Sequence, residues 1–171
     1  MIAVGNRTTG VGGGIASRLT LALGLMVAGC SMFEETTAPA PGNISALRRP
    51  ASPNTCLAAP AGFALTPDLP TRRYDMPPER LLAVVRSVVA GLPRTTELAV
   101  DLGLLRADYV VRSRVFRFPD IVLVQALPAL EGRSDLVLYS YSLKGHYDFG
   151  VNRDRVVALL TKLDAALAQP Q

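Results

Sequence analysis

The chain has no tryptophan, one histidine and two cysteines among its 171 residues. Two cysteines cannot form a multi-bridge disulfide framework. Together with a single histidine they cannot supply a four-ligand Cys/His zinc site. No metal or cofactor is therefore expected. Charged residues are also scarce, at 19% of the chain, whereas apolar residues make up 49%. That balance excludes a disordered charged tail. A mass of 18.2 kDa suits one ordinary domain, not two with separate cores.

The first 29 residues contain no acid but hold seven of the fourteen glycines. Residues 39–78 hold nine of the thirteen prolines. These shifts divide the chain into residues 1–29 as an export signal, residues 30–53 as a Pro/Ala-rich tether, and residues 54–171 as the folded domain.

Arg7 and Arg18 precede the apolar run Leu19–Ala28. As a helix, ten residues span roughly 15 Å. That is about half of a ~30 Å hydrocarbon core, which suits the apolar region of a signal peptide better than a membrane span. Val27-Ala28-Gly29-Cys30 follows and resembles a bacterial lipobox. The small residues fit a narrow peptidase cleft, and Cys30 offers the thiol that takes a diacylglyceryl group. This resemblance implies cleavage before Cys30 and acylation of its freed amine, leaving membrane lipid as the first partner. Ser31 after the cysteine favours, by the sorting rule of similar lipoproteins, the periplasm-facing leaflet of an outer membrane.

Gly10, Gly12, Gly13 and Gly14 lack a preceding strand and the dinucleotide-binding spacing, so they indicate no nucleotide site. Loss of Arg7 and Arg18 on cleavage would leave 16 basic residues against 14 acidic, a net charge of +2. Neither that charge nor an exported location suggests a nucleic-acid partner. Cys56 would then be the remaining thiol. With His146 as the sole histidine, Cys–His catalysis competes with a buried structural cysteine.

Within the folded part, Asp75-Met76-Pro77-Pro78-Glu79 predicts a helix start, with Asp75 or Met76 at the cap. Leu81, Val84, Val85, Val88 and Leu92 form its stripe, and Gly91 and Pro93 stop it. Strands are expected over Thr95–Val100, Tyr109–Phe118, Ile121–Leu127 and Asp135–Leu143. In the second, Arg112 and Arg114 would share a face. Asn152 is expected to cap a last helix with stripe Val156, Leu159, Leu160, Leu163 and Leu167. The expected fold class is α+β: a single domain with an antiparallel sheet of about four strands, the preceding and C-terminal helices packed on one face.

The run Ser140-Tyr141-Ser142-Leu143-Lys144-Gly145-His146-Tyr147-Asp148-Phe149-Gly150-Val151-Asn152-Arg153-Asp154-Arg155 resembles the closing motif of a bacterial and plastid family, the domain of unknown function numbered fourteen ninety-nine. Phe116-Arg117-Phe118-Pro119-Asp120 resembles another of its segments, and Asn54-Thr55-Cys56 an early Asn-Cys element. Leu143 replaces the motif's arginine and Ile121 its second acid. The resemblance implies a fold and a boundary but no reaction.

Physically, Asp148 and Asn152 can satisfy the turn and the start of the last helix. Alternatively, free helix amides with Arg112, Arg114, Arg153, Arg155 and His146 can bind an anion. The functional reading is a membrane-anchored envelope lipoprotein that acts as a non-catalytic binding or interaction module, taking an envelope protein or a lipid-like ligand. Two alternatives stand beside it. One is a hydrolase or transferase using Asp148 and His146. The other is a binder of small apolar ligands, with a cavity near Tyr109, Val111 and Leu138.

Overall fold

A computed structural model describes Ile44 and residues 47–168. Cys30 and residues 1–29, expected to be an export signal, lie outside the described residues.

Six strands form one sheet. In chain order they are β1 (Thr55–Ala59), β2 (Leu69–Pro70), β3 (Thr95–Asp101), β4 (Arg106–Arg112), β5 (Pro119–Pro128) and β6 (Ser134–Ser142). Helix α1 (Pro78–Ala90) lies between β2 and β3, and α2 (Val151–Ala168) follows β6. The spatial order is β2-β1-β6-β5-β4-β3. Strands β3 to β6 form an antiparallel meander, and β1 adds antiparallel to β6. The pair β1–β2 is parallel.

The expected antiparallel sheet of about four strands is therefore corrected to a mixed sheet of six. The two additional strands are short. Thr55-Cys56-Leu57-Ala58-Ala59 has few β-branched residues, and β2 is a Leu-Pro pair. Local propensity in either is weak. Their pairing comes from partners elsewhere in the chain: Cys56 lies opposite Ser140, and Ala58 opposite Leu69.

Two further expectations shift. Strand β4 ends at Arg112, so Val115, Phe116 and Phe118 lie in an exposed β4–β5 hairpin. Arg112 and Arg114 consequently share no strand face. Helix α1 has Pro77 at its cap without a side-chain bond, and buries Leu81, Leu82, Val85 and Val89. Val84, Val88 and Leu92 flank that stripe, partly buried.

Both helices cover one face of the sheet. Val156, Leu159 and Leu163 of α2 join the α1 stripe against Cys56, Ala58, Tyr109, Val122, Val124 and Leu138. The opposite face is apolar as well: Leu57, Val110, Ile121, Leu123, Val137 and Tyr139 are buried there. Ile44, Leu47, Phe63 and Leu65 pack on that second face. Burial on both sides explains why Ile121-Val122-Leu123-Val124 reads as a continuous apolar run rather than an alternating one.

Candidate functional site

Strands β1, β5 and β6 and the start of α2 converge at one end of the sheet. Thr55 pairs with Tyr141, and Asp120 with Ser142. This register brings Asn54, Asp120, Ser140 and Ser142 beside the first turn of α2. Sequence alone separates the first and last of these partners by most of the domain.

Asn152 is at the centre of the arrangement and fully buried. Its Oδ1 accepts from Ser140 Oγ at 2.6 Å and from Arg155 Nη1 at 2.6 Å. Its Nδ2 lies within hydrogen-bond distance of three acceptors: the Asn54 carbonyl at 2.9 Å, Ser142 Oγ at 2.9 Å and Asp148 Oδ2 at 2.8 Å. Asn152 is thus a helical residue of α2 rather than its cap.

The cap is Asp148. Its Oδ1 accepts from the Gly150 amide at 3.0 Å and its Oδ2 from the Asn152 amide at 2.8 Å. One helix-start amide, that of Asn152, and the amide of the preceding turn residue Gly150 are satisfied, and a carboxylate sits at the positive end of the helix dipole. Gly150 holds φ +83°, where a side chain is strained, so the chain turns into α2 between cap and helix.

Arg155 links this knot to β5. Its Nη2 donates to Asp120 Oδ2 at 2.6 Å, and its Nη1 also donates to Ser140 Oγ at 2.9 Å. The ion-paired side chains are only 11% and 7% exposed. Asn54 closes the ring by donating from Nδ2 to the Gly145 carbonyl at 2.7 Å, while Ser52 Oγ donates to its Oδ1.

Of the candidate residues, Asp148, Asn152 and Arg155 come together. Arg153 is exposed, with one long contact from Nη1 to the Asp68 carbonyl at 3.5 Å. Arg112 and Arg114 belong to the β4–β5 hairpin region, where Arg112 Nη1 points to the Arg117 carbonyl at 3.4 Å. His146 is exposed and stands edge-on to Tyr147, ring centroids 4.9 Å apart.

Cys56 lies beside this cluster, opposite Ser140, and is 1% exposed. Burial, then the charge of Asp68, pushes its thiol from an ordinary 9.0 up to about 11. A neutral, enclosed thiol is a poor nucleophile. Tyr109, Val111 and Leu138 are packed into the core with α1 and α2 side chains.

A half-open cleft of about 270 Å³ lies elsewhere, lined by Ala99, Val100, Asp101, Leu102, Arg106 and Asp108. Arg106 Nε and Nη2 hold both oxygens of Asp108, at 2.7 and 2.9 Å. The Asp108 carboxylate in the cleft is thus already neutralised. Among the described residues, no group of three or more His, Cys, Asp or Glu could hold a metal ion.

Asp120, Ser140 and Ser142 are members of the knot that residue-by-residue reasoning does not single out. Their only sequence signal is inclusion in the motif segments, because each has a partner remote in the chain.

A family model described as "Protein of unknown function (DUF1499)" matches residues 47–163. Among solved structures, the crystal structure of TTHA0849 from Thermus thermophilus is similar at 14% identity with a TM-score of 0.31, covering 66% of this chain and 93% of that one. No curated relative matches.

Proposed function

The chain belongs to the DUF1499 family of proteins of unknown function, and from that premise we propose that it is a cell-envelope lipoprotein whose domain is a non-catalytic binding or interaction module. The observation that carries the non-catalytic reading is the state of Asp148. Both of its oxygens accept from backbone amides, and one also faces the Asn152 amide group. A general base needs an oxygen within reach of a substrate proton. Here the carboxylate completes a helix start, while His146 is exposed on a loop.

The anchor reading is supported by the sequence order of Arg18, an apolar run and Val27-Ala28-Gly29-Cys30. Acylation contributes roughly 0.8 kcal/mol per buried CH₂, so two or more chains hold a protein stably where one is marginal. Ser31 directs the proposal to the periplasmic face of an outer membrane. Membrane lipid held through Cys30 is the first partner, and an envelope protein the second.

Metabolic labelling with palmitate tests the anchor. Cys30→Ala should accumulate full-length precursor and lose the label. Label retained by that variant would sink the lipoprotein reading.

A further inference from the structure

The end of the sheet that holds the polar knot also presents apolar side chains to solvent. Val115, Phe116 and Phe118 are exposed in the β4–β5 hairpin, and Leu143, Tyr147 and Phe149 in the β6–α2 loop. The two loops lie side by side, since the Leu143 amide donates to the Pro119 carbonyl at 3.2 Å. Phe116 and Phe118 stack with ring centroids 5.4 Å apart. Phe149 is 96% exposed and holds a left-handed backbone at φ 55°. Bulky residues disfavour that conformation. The turn at Phe149 is held by the bonds of Asp148 to the Gly150 and Val151 amides, which leaves the ring pointing into solvent, and a concentrated exposed apolar patch marks an interaction surface.

Cations are interleaved with these rings. Segments 112–119 and 143–153 contain Arg112, Arg114, Arg117, Lys144 and Arg153 against one acid, Asp148, which is engaged with helix amides. Arg94 reaches the same end, donating to the Arg112 carbonyl. Exposed aromatic rings with cations between them match the chemistry of an anionic bilayer surface: rings enter the headgroup–acyl boundary, and guanidinium groups meet lipid phosphates.

We infer that this two-loop tip docks the domain onto anionic lipid headgroups, with Phe116 and Phe149 as inserting residues and Arg114 and Arg117 as headgroup contacts. The inference rests on the anchored-lipoprotein reading for its setting. Strand β1 begins at this same end of the sheet.

The test uses the full acylated chain on vesicles of phosphatidylcholine, with or without phosphatidylglycerol, made with brominated acyl chains. An environment-sensitive dye is placed at Phe116→Cys, Phe149→Cys or, at the opposite end of the sheet, Leu130→Cys. Buried Cys56 does not compete for the label. On anionic vesicles, quenching at positions 116 and 149 should exceed that at 130 by about threefold or more, as expected for shallow insertion. Replacing Arg114 and Arg117 by Glu should abolish the excess, as should neutral lipid. Equal quenching at all three positions on anionic vesicles overturns the docking and leaves the tip to a protein partner. An excess that survives charge reversal overturns the headgroup contacts. Flotation with neutral vesicles reads the acyl anchor separately. A chain that floats without tip quenching keeps the anchor and loses the docking. A chain quenched on anionic vesicles but absent from neutral ones keeps the docking and loses the anchor.

Discussion

The side-chain amide of Asn152 donates to the backbone carbonyl of Asn54 at 2.9 Å, joining the first turn of the last helix to the residue that precedes the first strand. The bond spans 98 positions. It fixes β1 at the edge of the β3–β6 meander and fixes α2 across β1 and β6 at the same time. The motif around Asn152 is therefore the clasp of the fold, and its sequence specificity follows from the number of groups one buried amide must satisfy at once.

Asn152→Ala removes that clasp: the buried Ser140 hydroxyl loses its acceptor, Arg155 and the Asn54 carbonyl each lose one bond while keeping Asp120 and the Ser142 amide, and a buried void is left. Each orphaned polar group costs about 1–3 kcal/mol, and partial relaxation limits the sum, so a loss of about 2–4 kcal/mol is expected. Urea unfolding should show a lower midpoint at an unchanged slope. A midpoint within error of the parent would mean that the knot adds nothing to stability.

The Asp120–Arg155 pair makes a second, separable prediction. Both partners are nearly buried, so Asp120→Ala leaves a guanidinium without its carboxylate and should cost about 3–5 kcal/mol. Adding Arg155→Met removes the orphaned charge and should recover part of that loss, although Ser140 and Asn152 lose a donor. A double-mutant cycle reads the coupling. The double variant should be less destabilised than the two single changes added together, and strict additivity would show that the pair does not act as a unit.

Asp148→Ala tests the cap. Loss of a capping carboxylate costs about 0.5–2 kcal/mol, and Asp148→Ser should restore part of it because a hydroxyl also accepts from helix amides. Inorganic phosphate should leave the parent's thermal midpoint unchanged at moderate concentrations, since Asp148 already occupies the amides an anion would use. A phosphate-dependent rise in the parent would show a working anion site at this helix start.

Legibility follows the range of the interactions. Helix α2 and strands β5 and β6 can be read locally, because the Val156, Leu159 and Leu163 stripe carries a helical period and the two strands are short apolar and aromatic runs bounded by turn residues. Strand β1 cannot, since Thr55–Ala59 becomes a strand by pairing with Leu138–Tyr141. The hairpin departs from expectation for a different reason. Val115 and Phe116 have high strand propensity, yet Arg117 adopts φ 58° and the chain has already turned. Propensity gives way there to the pairing of Arg112 with Pro119. Asp148 and Asn152 are visible as a helix start, but which of them caps it depends on Asn152 finding Asn54, Ser140 and Ser142, and no spacing rule contains those distances.

Cys56 provides a chemical check on the same packing. Its thiol is enclosed opposite Ser140, and burial, which disfavours the thiolate, pushes it from 9.0 up to about 11. Below pH 9 it stays protonated in both the folded and the unfolded chain, and its contribution to stability is fully present. Between pH 9 and 11 the unfolded chain ionises first, so stability should fall as pH rises through that window. At neutral pH the folded Cys30→Ala chain should leave a thiol reagent such as DTNB unreacted, and denaturant should release one equivalent. Cys56→Ser should flatten the decline between pH 9 and 10, while from pH 10 upward ionising tyrosines such as Tyr74, pushed from 10.0 up to about 12 by burial, add their own loss. Fast DTNB reaction in the absence of denaturant would mean that the β1–β6 edge opens readily, and the clasp formed by Asn152 and Asn54 would then be looser than its hydrogen bonds require.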